Sequence, residues 1–496
     1  MKKHNKCILA FCILLIVSLL VEVPYMATME TASAATKATL KSSKETIKVA
    51  GTVKIVINNK VTKATYSFKS SDTKVATVAG TITGKKAGTA NITVKQTYKS
   101  KTTTVGTVQV TVQPVVNKAT FLKNSLVGTG NNYRMKKAIE KAMNGEPVTI
   151  AYIGASITEG YNAFPATTSY CYVAYQYFKD TFGKGDGSNV KFVNAGMAGT
   201  PSTLGMIRYD RDVVALAESP VDIVFVEFAV NDGDDPTNGD AYESLVNNIL
   251  KADNAPAVVL LFSVFRSKWN LQTRLQPVGE YYNLPMISIS NAVLPELTSG
   301  AMTNPDFFSD DYHPTTAGHL LMADCINYYF DTVNKETIAE TDITIPDVAK
   351  IGNSFVGIKM LDSKTVAEGV TVQAGGFSET DSVLGTFKFA PSTKTFPNNW
   401  KHTTTSDSKV FSAKLNCKNF LLVYKLSSST TFGKVDVYVD GTKVQTIDSF
   451  GNGNWNNPYT KVIFNNIEAA DHTIEIKMAA DSTAKEFSIL AIGYTK

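Results

Sequence analysis

The 496-residue sequence predicts a multidomain protein organised on a central α/β domain, a parallel sheet covered on both faces, with a β-rich domain on either side. Two observations predict it. Between about residues 121 and 337, near-continuous apolar runs alternate with helical periodicity. Before and after that stretch the pattern changes to short strands separated by turn residues, with almost no helical period. Composition is that of a globular protein, 44% hydrophobic and 19% charged. The formal net charge of +5 is too mild and dispersed for a nucleic-acid surface.

The chain begins with Lys2, Lys3 and Lys6 ahead of an apolar run from Ile8 to Val21, followed by Ala32-Ser33-Ala34. A basic start, an apolar middle and a small-residue site make residues 1–34 an expected secretory signal peptide, cut after Ala34. The mature protein is then secreted or held at the cell surface. An uncleaved N-terminal anchor is the alternative. A lipoprotein is disfavoured because bulky Phe11 precedes Cys12 and the apolar run continues beyond it. No later segment approaches the ~18 continuous apolar residues of a membrane span. Signal removal leaves Cys171, Cys325 and Cys417, an odd and scattered set with neither a disulfide framework nor metal-ligand spacing. Each is expected to be a small buried hydrophobe.

Residues 36–113 are rich in Thr, Lys and Val. Ile47-Lys-Val, Val53-Lys-Ile-Val-Ile, Val75-Ala-Thr-Val, Ala90-Asn-Ile-Thr-Val and Val108-Gln-Val-Thr-Val read as short strands of a small β-sandwich. The run from Ser70 to Val94 resembles the bacterial group-two immunoglobulin-like domains, which implies a surface spacer or adhesive module and names no ligand. Pro114 ends it.

In the central region, strands are expected at 148–153, 190–194, 221–229, 257–264 and 286–290, each apolar enough to be buried on both faces. Helices are expected near 131–144, 167–182, 203–218, 240–252, 270–283 and 315–333. In such sheets, sites form beyond the carboxyl ends of the strands. From about 345 to 496 strands return, among them Phe420-Leu-Leu-Val-Tyr, Lys434-Val-Asp-Val-Tyr-Val-Asp and His472-Thr-Ile-Glu-Ile-Lys, with a hairpin turn at Asp440-Gly441. A β-sandwich or jelly roll is expected there.

The chemistry-bearing residues lie in the loops of the central domain. Val148 to Gly160 is a buried strand running into a glycine-bounded turn that presents Ser156. A serine nucleophile needs a base, a group that orients the base, and donors for the oxyanion. His313 has Asp310 three residues before it in one tight loop, and Pro314 holds it in extended backbone. Asp311 is the alternative orienter, with less suitable reach. His319 falls on the following helix and is expected to be structural. Oxyanion donors are expected after neighbouring strands, in Asn194-Ala-Gly-Met-Ala-Gly and in Val230-Asn-Asp-Gly. Either stretch also suits an ordinary turn.

Taken in order, Gly154-Ala-Ser-Ile-Thr, Asn194-Ala-Gly-Met-Ala-Gly, Glu227-Phe-Ala-Val-Asn-Asp and Asp310-Asp-Tyr-His-Pro resemble the four blocks of the SGNH (GDSL-like) hydrolases, over roughly residues 121–335. The resemblance implies a three-layer flavodoxin-like fold. It also implies Ser156 as nucleophile and oxyanion donor, Gly199 and Asn231 as further oxyanion donors, His313 as base and Asp310 as its orienter. Gly196 is the alternative to Gly199. One departure stands out: the aspartate that usually precedes the serine is Ala155, which points toward carbohydrate-esterase-like members. Glu159 and Arg208 lie near the site loops and are candidates for binding substrate, with the solvated surface as the expected place.

Flanking β-domains on an exported hydrolase imply a polymeric substrate, an O-acetylated polysaccharide being usual for this family. Trp400, Trp455, Tyr438 and Tyr459 are candidates for stacking on sugar, with core packing as the alternative. Two other readings stay open: a lipid-directed esterase, against which Asp232, Asp234, Asp235 and Asp240 form an expected acidic rim, and an adhesion or carbohydrate-binding protein. No cofactor is called for. Loop 232–240 has oxygens for calcium but not the spacing of an EF-hand loop.

Overall fold

The computed structural model describes residues 37–365, 367–385 and 396–496, without the side chain of Asp234. The expected signal peptide lies outside the described residues. The chain divides into two compact units, one ending at Val112 and one beginning at Gln113.

Among its described residues the first unit is all β: β1 (Thr39–Leu40), β2 (Lys44–Lys48), β3 (Thr52–Lys54), β4 (Ile57–Asn58), β5 (Thr65–Ser70), β6 (Ala76–Val78), β7 (Thr81–Gly84), β8 (Gly88–Tyr98) and β9 (Lys101–Gln113). They form a sheet ordered β2-β9-β8-β5, a second ordered β3-β7-β6, and a β1-β4 pair. Alternation sets the faces. Ala90, Ile92 and Val94 of β8, with Val108, Val110 and Val112 of β9, are buried, whereas Asn91, Gln109 and Thr111 between them are exposed.

The second unit opens with α1 (Lys118–Ser125), β10 (Leu126–Gly128), α2 (Tyr133–Asn144), β11 (Val148–Gly154), α3 (Ser156–Glu159), α4 (Tyr170–Phe182), β12 (Val190–Gly196), α5 (Ser202–Asp212) and β13 (Val221–Glu227). It continues with α6 (Asp240–Leu250), β14 (Ala257–Phe262), α7 (Gln272–Tyr281), β15 (Met286–Ser288), α8 (Ile289–Ser299), α9 (Asn304–Phe307) and α10 (Thr316–Lys335). The sheet runs β10-β15-β14-β13-β11-β12, with β11 to β15 parallel and β10 antiparallel at the edge. Among the parallel strands this is the flavodoxin-like order, in which the first strand lies between the second and third. The switch point is therefore the carboxyl end of β11, flanked by β12 and β13. Successive residues of β11 face opposite layers: Ile150 and Tyr152 join one core, Ala151 and Ile153 the other.

The expected strand at 286–290 ends at Ser288, whose hydroxyl accepts from the Asn291 N–H at 3.0 Å and caps α8. That helix was not anticipated because Pro295 sits inside it and its start is as apolar as the strand before it. The expected helix at 203–218 ends at Asp212 and gives way to a 3₁₀ turn at Val214–Leu216. The short α1, β10 and α9 were likewise not foreseen.

The C-terminal part holds β16 (Lys359–Leu361), β17 (Thr371–Gln373), β18 (Trp400–His402), β19 (Phe411–Leu426), β20 (Lys434–Val439), β21 (Thr442–Asp448), β22 (Asn457–Met478) and β23 (Phe487–Thr495), joined by antiparallel pairing. Asp440 and Gly441, at φ 49° and 80°, make the tight turn between β20 and β21. This part is not a separate bead. Ile358, Leu421, Val423 and Leu490 belong to the same core as Leu204, Ile207 and Phe228 of the α/β part. The connecting segment is bolted to α6. The Glu243 carboxylate accepts from the backbone N–H groups of Lys350 (2.6 Å), Ile351 and Gly352 (2.9 Å), and Asp240 accepts from the Ser354 N–H (3.0 Å) and hydroxyl (2.6 Å).

Candidate active site

Ser156 is the first residue of α3, separated from the end of β11 at the switch point only by Ala155. Glycines make the turn sharp enough. A Cβ on Gly154 would run into the Thr158 hydroxyl and the Glu227 carbonyl, and one on Gly196 into the Glu159 backbone. Gly160 closes the turn in the left-handed region at φ 101°.

Ser156, His313 and Asp310 form a continuous chain of hydrogen bonds. His313 Nε2 lies 3.0 Å from Ser156 Oγ, and Nδ1 lies 3.0 and 2.9 Å from the two Asp310 oxygens. The local sequence folds this way because Asp310 Oδ1 also accepts from the N–H groups of Tyr312 and His313, both at 2.8 Å, closing an Asx-type turn. Burial pushes the Asp310 carboxyl up, but the hydrogen bonds from His313 and from the two backbone groups outweigh it, so the group lies below the usual carboxylate range. Asn162 adds a bond from Nδ2 to Asp310 Oδ2 at 3.1 Å. Asp311 is turned away, exposed and 3.4 Å from Arg266. His319 is buried and holds the site from behind. Its Nε2 pairs with the Tyr161 carbonyl at 2.9 Å, and the Tyr161 ring lies 4.3 Å from that of His313. Burial pushes His319 down to about 4, so it stays neutral.

Gly199 and Asn231 sit on the loops after β12 and β13, the two strands flanking the Ser156 turn. The Gly196 N–H is already given to Asn194 Oδ1 at 2.8 Å, whereas the Gly199 N–H has no acceptor among the described residues. Gly199 adopts φ 69°. The Asn231 side chain is likewise uncommitted, its Oδ1 buried without a partner. Asp232 ties the two loops together, accepting the Ser202 N–H at 2.7 Å, and burial pushes its carboxyl up to about 7.

Beneath the turn lies a polar layer that sequence reasoning missed. Glu227 is fully buried, and burial pushes its carboxyl up to about 7. Thr158 donates to Glu227 Oε2 at 3.2 Å, while the Thr158 carbonyl accepts from Asn194 Nδ2 at 2.9 Å. Glu159 and Arg208 are not on the surface. Glu159 is 1% exposed and takes the Ala198 N–H at 2.9 Å; Arg208 is 0% exposed and donates to the carbonyls of Gly154 (2.9 Å) and Ala195 (2.6 Å). Arg208 thus staples the ends of β11 and β12, with Asp212 at 3.2 Å balancing its charge. A carboxylate ending an apolar strand, as Glu227 does, was the available signal. The acidic rim also turns inward. Asp232 and Asp235 are buried, and Asp240 is spent on Ser354.

One residue reaches the site from the C-terminal part. A Cβ on Gly199 would stand 3.2 Å from the Trp455 ring, and Trp455 is 42% exposed. The other candidate aromatics are placed elsewhere. Trp400 is buried against Phe411, Tyr459 meets Tyr424 edge-on, and Tyr438 carries Lys477 over its ring.

Residues 152–321 match the model of the GDSL-like Lipase/Acylhydrolase family. Two solved structures of a two-domain esterase active on acetylated mannans, one co-crystallised with mannopentaose, align with 26% identity and a TM-score of 0.64, over 76% of this chain and 98% and 99% of theirs. A Clostridium thermocellum family 3 carbohydrate esterase aligns with 14% identity and a TM-score of 0.30 over 38% of this chain and 98% of that one, a likeness too slight to argue from. Comparison with curated protein sequences gave no match. Residues 152–321 carry a GDSL-like lipase/acylhydrolase domain, and the protein is an ester hydrolase.

Proposed function

We propose that this protein is a secreted serine esterase that removes acetyl groups from an O-acetylated polysaccharide. The observation that carries the mechanism is the hydrogen-bonded chain from Ser156 Oγ through His313 to Asp310, at 3.0 and 2.9 Å. Ser156 Oγ attacks the ester carbonyl as His313 Nε2 takes its proton. Asp310 fixes the Nδ1–H tautomer and stabilises the imidazolium that forms. The N–H groups of Ser156 and Gly199 and the Asn231 amide receive the oxyanion. His313 then returns the proton to the departing sugar oxygen, leaving an acetyl-serine. Water, deprotonated by His313, attacks that ester; His313 returns the proton to Ser156 Oγ as the acyl–oxygen bond breaks and acetate leaves.

The polysaccharide reading is supported by the mannan-active relative, which this chain spans almost entirely, and by the half-exposed indole of Trp455 beside Gly199. The N-terminal β-unit fits a surface spacer, and residues 1–34 a signal for export. Ser156→Ala is expected to abolish release of p-nitrophenol from p-nitrophenyl acetate while leaving the circular dichroism spectrum unchanged; residual turnover above about 10⁻³ of wild type would remove Ser156 from the role. Release of acetate from acetylated mannan, with acetyl esters far above octanoyl esters, separates this reading from a lipid-directed one.

A further inference from the structure

On the hydrolase side of the site, an aromatic run extends outward from the base. The ring of Tyr312 is 6.3 Å from that of His313, Phe265 meets Tyr312 edge-on at 5.1 Å, and Trp269 stacks on Phe265 at 5.6 Å and 25°. Its two end members face water, Tyr312 at 57% and Trp269 at 38% exposed, with the half-buried Phe265 packed between them. Aromatic side chains of this size are normally buried, so two exposed ones joined in one packed run at a catalytic mouth are a ligand-binding feature.

The run is held between two of the loops that carry the site. The Arg266 N–H donates to the Asp311 carbonyl at 3.1 Å, fixing the 265–269 turn to the His313 loop. The Leu271 N–H donates to the Ala229 carbonyl at 2.8 Å, fixing its other end to the loop of Asn231. The turn itself is closed by the Phe265 N–H on the Trp269 carbonyl at 3.0 Å, with Lys268 in the left-handed region at φ 71°. At Gly233 a Cβ would stand 3.1 Å from the Trp269 ring, tight enough that the indole would have to shift slightly, so the glycine lets the ring lie close against the oxyanion loop.

The geometry points to a sugar-binding ledge, formed by Phe265, Trp269 and Tyr312, that seats a pyranose unit of the substrate next to the one being deacetylated. This rests on the polysaccharide reading above. A pyranose presents an apolar face of C–H groups and a polar edge of hydroxyls. The ledge offers the matching pair: indole and phenol faces, edged by the Arg266 and Asp311 side chains, which pair at 3.4 Å and stay open to solvent. An acyl chain would instead meet charge along that edge.

The test compares wild type with Trp269→Ala and Trp269→Phe in the full-length protein, on p-nitrophenyl acetate and on acetylated manno-oligosaccharides. For Trp269→Ala, KM for the oligosaccharide is expected to rise about tenfold with kcat little changed, and p-nitrophenyl acetate turnover to stay at the wild-type level. Trp269→Phe is expected to restore most of the loss. An unchanged oligosaccharide KM in Trp269→Ala overturns the ledge alone. An equal loss on both substrates also overturns it, because the indole would then be acting on the oxyanion loop through Gly233. If wild type cleaves p-nitrophenyl acetate but no acetylated saccharide, the polysaccharide reading falls and the ledge falls with it.

Discussion

Trp455 lies beside Gly199: a ring from the C-terminal β-structure stands 3.2 Å from where a Cβ on that glycine would be, and the glycine's N–H has no acceptor among the described residues. Gly199 is doubly constrained, by φ 69° and by that ring. Gly199→Ala is therefore expected to destabilise the protein by about 1–2 kcal/mol from backbone strain alone, and to lower kcat as the loop shifts. Trp455→Ala in the same chain should recover only the steric part. A double-mutant cycle by thermal denaturation should give a coupling of at least about 0.5 kcal/mol; simple additivity would mean that the ring and the glycine do not constrain each other.

Asp310 holds the His313 Nδ1–H through two oxygens. On the proposed mechanism, Asp310→Asn places an amide where a carboxylate would stabilise the imidazolium, and kcat on p-nitrophenyl acetate is expected to fall about 10⁴-fold with KM nearly unchanged. A loss of less than about tenfold would mean that another group, such as Asp311, orients the base.

Among the described residues the Asn231 side chain makes no hydrogen bond. Asn231→Ala is expected to lower kcat about 10²–10³-fold, the effect of one missing oxyanion donor, with the melting temperature preserved. A fall in KM and kcat together would indicate instead that ground-state strain had been relieved.

Glu227 makes stability depend on pH. Its carboxyl ionises near 4.5 in the unfolded chain and about 7 in the fold. Between those values the folded state holds one more proton, so stability is full below the lower one and falls as pH rises through about 7, by up to about 3 kcal/mol. Asp232 adds a decline of the same sign. His319, neutral to about 4, contributes the opposite: its stabilisation is present above 6.5 and lost as pH falls. Comparing Glu227→Gln with wild type isolates the first contribution. The variant's melting temperature should gain on wild type from pH 5 to about pH 7 and then level off, and parallel curves would refute a buried, proton-holding Glu227.

The elements around the site were legible because each announced itself locally. The β11 run is apolar at almost every position, and the Asp310–His313 loop is closed by an Asx turn ahead of a proline. Strand order was readable only through resemblance, since pairing β11 with both β12 and β13 is a long-range choice. What escaped notice was of two kinds. Helix α8 was hidden by its internal Pro295 and by apolar residues that suit strand and helix alike. Glu159, Arg208 and Glu227 were hidden by their charge: a charged residue reads as surface unless its partners are known, and here the partners are backbone groups near the ends of β11 and β12 for Arg208 and Glu159 and the Thr158 hydroxyl for Glu227. The aromatic run at Phe265, Trp269 and Tyr312 joins two loops far apart in sequence, so no single stretch contained it.

The bond set around Glu243 has a consequence for how the chain can be cut. A fragment ending before Lys350 would strip that carboxylate of its three backbone donors and lay open Leu204, Ile207 and Phe228. The C-terminal strands are in that sense a wall of the catalytic domain rather than cargo, and fragments made for expression, crystallisation or fusion should keep residues 113–496 whole.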